Sequence, residues 1–451
     1  MSNETTRRFF IGAATAAAAT RVWGANDRIN VAIVGIGGRG TNHLNIYSKM
    51  PGAKVAALCD VNQAAREKAQ TTLMNVTGEK AKEFEDMRAV FADPGVDAVS
   101  IATPNHWHAL ATTWACKAGK DVYCEKPACY NIHEGQVMVQ VARETKRMVQ
   151  IGSQHRSTPF KMKGMQALQG GIIGKVYQAK GLCYKRRVSI GHKDDAPTPP
   201  GVNWDLFLGP APMRAFNELR FKYNWHWFWD TGNGDIGNQG VHEMGIARWG
   251  MGDPEWPKTA VAFGGKFGPE DDQETPNTLT SSFDFGGREL IFEVRGMLTG
   301  GEGAPPAGGR GRGAAAAAAP AVAPSVPANP LNVTVGNLFY GTEGWMSMND
   351  GGYQIYKGES SELIAEEKPE RGQDATRLHM ENFLSAVRSR NYSELHDGIN
   401  NAYLSASMCH LANISYRTGH KLNLEAGPKF TGDVAANKLL TRDAYRKGYV
   451  V

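Results

Sequence analysis

Val31-Ala32-Ile33-Val34-Gly35-Ile36-Gly37-Gly38-Arg39-Gly40 runs from an apolar segment into a cluster of glycines. Its leading apolar residues read as a buried strand, and the glycines after them as a turn that opens a helix. Gly35, Gly37 and Gly40 stand in G-x-G-x-x-G spacing: one for the tight turn, one for close approach of a ligand to bare backbone N–H groups, one for helix–strand packing. Downstream, a helix-like run over 41–50 breaks at Pro51-Gly52, and a second strand over 54–59 ends in Asp60. In that strand–helix–strand setting the turn, with Gly38 and Arg39 inside it, reads as a cradle for the pyrophosphate of a dinucleotide. A carboxylate at Asp60 accepts hydrogen bonds from ribose hydroxyls and repels a 2′-phosphate; neither Val61 nor Asn62 offers a cation, so NAD is expected rather than NADP.

The chain has 451 residues, enough for two domains with separate cores. Its formal net charge of +5 is spread without a basic block, which gives nucleic-acid binding no footing. Six cysteines (Cys59, Cys116, Cys124, Cys129, Cys183, Cys409) lack C-x-x-C spacing and read as small buried hydrophobes, with neither a disulfide framework nor a zinc site. At the start, Thr6-Arg7-Arg8-Phe9-Phe10 precedes a short alanine-rich run over 11–20, too short to span a bilayer. This resembles a twin-arginine export signal, with cleavage expected between Ala17 and Asn26. Such export carries folded proteins, so a cofactor would travel with the chain to the periplasm or beyond.

After Asp60 the pattern alternates: a helix over 63–75 capped by Asn62 and closed by Gly78, then strands over 97–102, 121–124 and 148–152 separated by helices over 106–118 and 131–147. Alternation argues for a doubly wound parallel sheet with its ligand at the carboxyl ends of the strands, where Thr103-Pro104-Asn105 and Glu125-Lys126-Pro127 lie. From about Ser153 the character changes to a helix over 161–169 and strands over 176–184, 259–263, 279–285, 289–294, 332–340 and 344–349, followed by helices over 374–389 and 397–416. The expected organisation is an export signal over 1–25, an α/β Rossmann domain over 26–152, and an α+β domain over 153–451 built on an open, largely antiparallel sheet. A Gly/Ala/Pro tract over 300–330 has too little apolar surface to offset its ordering entropy and reads as a disordered loop between two strands.

The glycine turn, Thr103-Pro104-Asn105 and Glu125-Lys126-Pro127, in that order, resemble the glucose–fructose oxidoreductase, inositol dehydrogenase and MocA family (Gfo/Idh/MocA). The resemblance continues through Asn203-Trp204-Asp205-Leu206-Phe207-Leu208-Gly209-Pro210, Gly240-Val241-His242 and Tyr340-Gly341-Thr342-Glu343-Gly344. It implies hydride transfer between a nicotinamide and a sugar or polyol carbon, with Lys126 reaching the nicotinamide and the reacting hydroxyl. It also places Thr103, Pro104, Asn105, His108 and Glu125 with the cofactor. Physics agrees for Lys126: alcohol oxidation needs a base, and a desolvated amine beside a cationic ring falls from about 10.4 towards the 7–8 that such a role requires. His242 resembles the histidine of the family's D-x-G-x-H motif, but Asn238 stands at the aspartate position, and whether Asp235 replaces that carboxylate is left open.

Tyr223-Asn224-Trp225-His226-Trp227-Phe228-Trp229-Asp230 packs five aromatics into eight residues, which suits either a sugar ring, with Trp225 in contact, or a core or subunit contact. His155, Arg156, Tyr184, Lys185 and Arg186 are placed facing the cleft by the resemblance, where the cations would suit an acidic substrate; the alternative is a solvated sheet edge. His106-Trp107-His108 points its two rings apart on a helix, so no metal site is expected. The reading is an NAD-dependent oxidoreductase acting on a secondary hydroxyl of a carbohydrate, a homo-oligomer (dimer or tetramer) with no membrane span in its mature form. Two alternatives accompany it: a redox-neutral, NAD-dependent glycoside hydrolase or lyase, and a non-enzymatic, NAD-containing sugar-binding protein.

Overall fold

A computed structural model describes residues 28–268, 270–302, 331–359, 361–425 and 427–451. The export signal and almost all of the 300–330 tract lie outside the described residues. The first sheet follows from alternating units: β1 (Ile29–Val34), α1 (Gly38–Tyr47), β2 (Ala53–Cys59), α2 (Gln63–Thr77), β3 (Lys82–Phe84), α3 (Met87–Ala92), β4 (Ala98–Ile101), α4 (His108–Lys117), β5 (Asp121–Cys124), α5 (Ile132–Thr145) and β6 (Val149–Ile151). Its order is β3-β2-β1-β4-β5-β6, and every pairing is parallel. The order reverses between β1 and β4, which opens a crevice above their carboxyl ends. Local chemistry sets the helix ends: the Asn62 side chain accepts from Ala64 N at 3.1 Å to start α2, and Gly78 ends it in the left-handed region at φ 72°. Asn131 caps α5 by accepting from Glu134 N at 2.9 Å. Asn105–Trp107 forms a single 3₁₀ turn before α4, so the helix read from residue 106 begins two residues later.

The second domain runs α6 (Pro159–Gln169), β7 (Val176–Cys183), α7 (Trp204–Leu208), α8 (Gly234–Asn238), α9 (Gly240–Gly250), β8 (Thr259–Gly265), β9 (Thr278–Asp284), β10 (Glu289–Arg295), β11 (Val335–Gly341), β12 (Gly344–Asn349), β13 (Gly352–Lys357), β14 (Glu362–Glu367), α10 (Ala375–Ser389), α11 (Ile399–Thr418), β15 (Leu422–Asn423) and α12 (Val434–Lys438). Its nine-stranded sheet, in the order β14-β13-β12-β11-β7-β10-β9-β8-β15, is antiparallel except for the parallel β7–β10 pair. Helix α9 lies close on it because its Gly250 leaves room for Phe339, whose ring would sit 2.1 Å from an added Cβ. The core of α11 is buried almost all round.

Helix α10 returns to the first domain. Its Met380, Phe383 and Leu384 pack with Val31, Ile33, Leu44 and Tyr123 in one cluster. This packing fixes the two sheets around a shared cleft, while within the second domain the Arg156 guanidinium joins Asp253 at 2.6 Å and Asp397 at 3.5 Å. All six cysteines are buried and free, and among the described residues no helix is long and apolar enough to cross a membrane.

Candidate active site

The cleft, about 830 Å³, runs from the glycine turn and Asp60 past Thr103 and Pro104 to Glu125, Lys126 and Asn238, a volume in the range of cofactor pockets. Gly35 has φ +83°, and a Cβ there would lie 2.8 Å from the Ala102 and Thr103 backbone; at Gly40 it would lie 1.8 Å from Gly35 O. Gly37 and Gly38 meet nothing within 4 Å: their bare backbone faces open space at the start of α1, where a pyrophosphate needs it. The buried Thr103 Oγ1 has no partner. Asp60 accepts from Ile36 N at 2.6 Å and Asn62 N at 2.8 Å, so it braces the glycine turn while lining the cleft. Burial raises its pKa against the pull of these two bonds. These residues fit a dinucleotide.

At the other end, Glu125 is buried and accepts from Arg39 Nε at 2.7 Å and from His43 Nε2 at 3.0 Å. Burial pushes its carboxyl up, but Arg39, His43 and Lys126 overcome this and hold it well below the usual range. Glu125 therefore anchors Arg39 across the turn as a fixed anion. Lys126, after which the peptide bond to Pro127 is cis, donates to Asn238 O at 2.8 Å and reaches Asn238 Oδ1 at 3.4 Å. Burial lowers its pKa more than the neighbouring Glu125 raises it.

His242 lines a small enclosed space with Lys126 and His155. Its Nδ1 is buried and unpartnered, and burial first, then His155 and Lys126, hold the ring neutral. His155 stands edge-on to it, ring centroids 4.9 Å apart at 84°. His155 Nδ1 in turn accepts from Lys161 Nζ at 2.9 Å, and Lys161 is paired with Asp350 at 2.6 Å. Asp235 lies behind Asn238, which reaches its Oδ1 at 3.4 Å, and its charge acts on Lys126 without direct contact. It is held by Arg187 at 2.6 and 2.8 Å, and Asn238 spans the gap by donating to Tyr223 Oη at 2.9 Å. The carboxylate nearest the His242–His155 pair is thus Asp350, from the β12–β13 turn, 3.6 Å from His155.

Several expected site residues sit elsewhere. His108 contacts the Pro127 and Thr103 carbonyls at 2.7 and 2.9 Å from behind the cleft, tying two strand-end loops together, and Asn105 donates to Asn233 Oδ1 from an equally buried position. Neither lines the dinucleotide cleft; His108 braces Thr103, which does. Arg156 lines the small space beside Lys126, His155 and His242, its buried guanidinium held by Asp253 and Asp397. Tyr184 lies in a small cluster with Leu182, Val333 and Leu338, its hydroxyl on Glu293 and Glu302; alternation along β7 turns it away from Cys183, which packs in the main core. Arg186 is exposed and donates to the carbonyls of Arg187 and Gly296. Lys185 reaches Gln239 Oε1 at 3.1 Å, and Trp225 lines the dinucleotide cleft, its ring stacked on His226 at 3.5 Å. Arg187, Lys161, Asp350 and the buried Glu243, whose carboxyl burial pushes up to about 8, were not singled out from sequence. No local motif marks them; only folding brings them together. Among the described residues there is no cluster of three or more metal-ligating side chains.

A parallel doubly wound domain with an open glycine cradle, sharing a cleft with a mixed-sheet domain, defines a dinucleotide-binding protein of the two-domain α/β class. Residues 29–153 match the GFO_IDH_MocA oxidoreductase family, NAD-binding Rossmann fold, and residues 165–261 match that family's C-terminal alpha/beta domain. Residues 29–153 and 165–261 are thus similar to the two domains of that oxidoreductase family, and the first has the NAD-binding Rossmann fold. The chain is 30% identical over 156 residues to scyllo-inositol 2-dehydrogenase (NAD(+)) of Bacillus subtilis, covering 34% of this chain and 44% of the relative. It is 28% identical over 165 residues to levoglucosan dehydrogenase of Pseudarthrobacter phenanthrenivorans, covering 34% and 40%. The chain therefore spans less than half the length of these curated relatives. In fold it is similar to a levoglucosan dehydrogenase solved with NADH and levoglucosan (TM-score 0.62, 17% identity, 88% of this chain, 99% of that one). It is likewise similar to an aldose–aldose oxidoreductase of Caulobacter crescentus (TM-score 0.61, 15% identity, 88% and 100%).

Proposed function

We propose that the protein is an NAD-dependent oxidoreductase acting on a secondary hydroxyl of a sugar or polyol. The observation that carries this is Lys126: an amine with a lowered pKa at the end of a glycine-cradled cleft, beside a neutral histidine with an unpartnered buried nitrogen. The cofactor, when bound, supplies the hydride acceptor. Lys126, deprotonated, takes the hydroxyl proton, and the Asn238 carbonyl fixes the direction of its amine. His242 orients the substrate hydroxyl, and His155, held by Lys161 and Asp350, packs edge-on against the His242 ring and fixes it. The names of the relatives, dehydrogenases of inositols and of levoglucosan, favour net oxidation over redox-neutral glycoside cleavage or sugar binding without turnover. The test is NADH formation with a panel of inositols, levoglucosan and aldoses. We also propose, from the Arg7-Arg8 pair, that the chain is exported. Fusion of residues 1–30 to a reporter tests this: transport abolished by a twin Arg→Lys change is the expected result, and transport without the segment the contrary one.

A further inference from the structure

The aromatic run after Tyr223 belongs to a longer segment, 201–229, that leaves the second domain and crosses the cleft of the first. It begins by pairing, main chain to main chain, with the loop after Asp60: Gln63 N donates to Gly201 O at 2.8 Å and Asn203 N to Val61 O at 2.9 Å, with Asn62 and Val202 bridged antiparallel. Next, Trp107 Nε1 donates to Phe207 O at 3.0 Å. Trp204 stacks on Phe207 at 4.8 Å, and their cluster takes in Val61 and Phe221. The segment then lays Phe207, Phe221, Lys222, Tyr223, Trp225 and His226 along the wall opposite the glycine turn. At the reacting end Tyr223 Oη accepts from Asn238, the residue that holds Lys126. Its far end is tied down by Trp229 N on Glu274 and by Glu274 N on Trp227 O.

We propose that residues 201–229 are a retaining strap, anchored beside the ribose-binding Asp60 and latched at Tyr223, that must lift for a dinucleotide to leave. The inference rests on the reading of the cleft as an NAD site. It makes aromatic side chains of the second domain part of the cofactor site, where flat apolar rings and a wet edge suit a nucleotide base and ribose. It also matches an exported enzyme that must carry its cofactor with it.

Gln63→Pro separates anchor from ligand contact. Gln63 is the first residue of α2, where proline is tolerated and the preceding Asn62 is already extended at ψ 112°. The change removes the N–H held by Gly201 and an exposed side-chain bond to Glu67 within α2, from a residue that does not line the cleft. NADH is loaded and its dissociation followed by nicotinamide fluorescence after a chase with excess NAD. Gln63→Pro, with unchanged circular dichroism, should release NADH about tenfold faster, most of the change lying in the dissociation rate. Tyr223→Phe, which cuts the latch, should give a smaller acceleration of about threefold. Dissociation within twofold of wild type in both variants overturns the strap while the cofactor reading stands. Failure of the wild type to take up NADH overturns the cofactor reading, and the strap with it.

Discussion

Lys126 and Asn238 set the chemistry of the site between them. A lysine facing a carboxylate would be held charged; facing the Asn238 carbonyl it is oriented at 2.8 Å without a full negative charge, and burial keeps its pKa down. The base is competent only when deprotonated, so kcat/KM for oxidation should rise with pH through the lowered lysine pKa and level off above it. Asn238→Asp places an anion within reach, favours the ammonium form and should move that rise to higher pH, measured as the pH profile of NADH formation. An unmoved profile would remove Lys126 as the titrating base. Lys126→Ala should cost about 10²-fold or more in turnover, the size of a general-base contribution, with NADH affinity within a few-fold of wild type by fluorescence titration. Sequence displayed Lys126 and His242, because they lie in motifs. It did not display Asp350 or Arg187, because charge compensation is made by whichever side chain the fold delivers.

The glycine turn was legible because its physics is local. A strand, bare backbone and a helix start lie within ten consecutive residues, and β1 and α1 form there. Gly40→Ala would push a methyl to within 1.8 Å of Gly35 O, so we expect the cradle to distort and NADH binding to weaken at least tenfold by titration, a wild-type Kd being the contrary result. Elements with little pattern escaped the sequence reading. Strand β3 has three residues, β14 alternates exposed Glu362, Ile364 and Glu366 with half-buried residues, and β15 is a two-residue edge. Tyr184 was misplaced for a related reason: the resemblance put it facing the cleft, whereas alternation along β7 turns it into a separate small cluster. Removing Arg156 strands buried Asp397, so Arg156→Ala should cost about 3–5 kcal/mol, read as a lowered Tm.

At the scale of the whole molecule the two sheets, the strap and helix α10 form one unit around the cleft. The chain on either side of the Gly/Ala/Pro tract is held together: Glu302 and Val333 exchange both backbone hydrogen bonds, at 2.9 and 2.7 Å. A short Gly/Ser linker in place of 304–330 should therefore leave Tm and activity close to wild type; loss of either would make the tract structural. In the proposed reaction this cleft passes a hydride from a ring hydroxyl to NAD with Lys126 as base. The most direct measurement is a single-turnover reaction of NAD-loaded protein with scyllo-inositol, myo-inositol and levoglucosan, followed by nicotinamide absorbance in wild type and Lys126→Ala. Reduction by at least one of these is expected in the wild type, with a loss of about 10²-fold in the variant. Equal rates in the two proteins, or no reduction with any of the three, would contradict it.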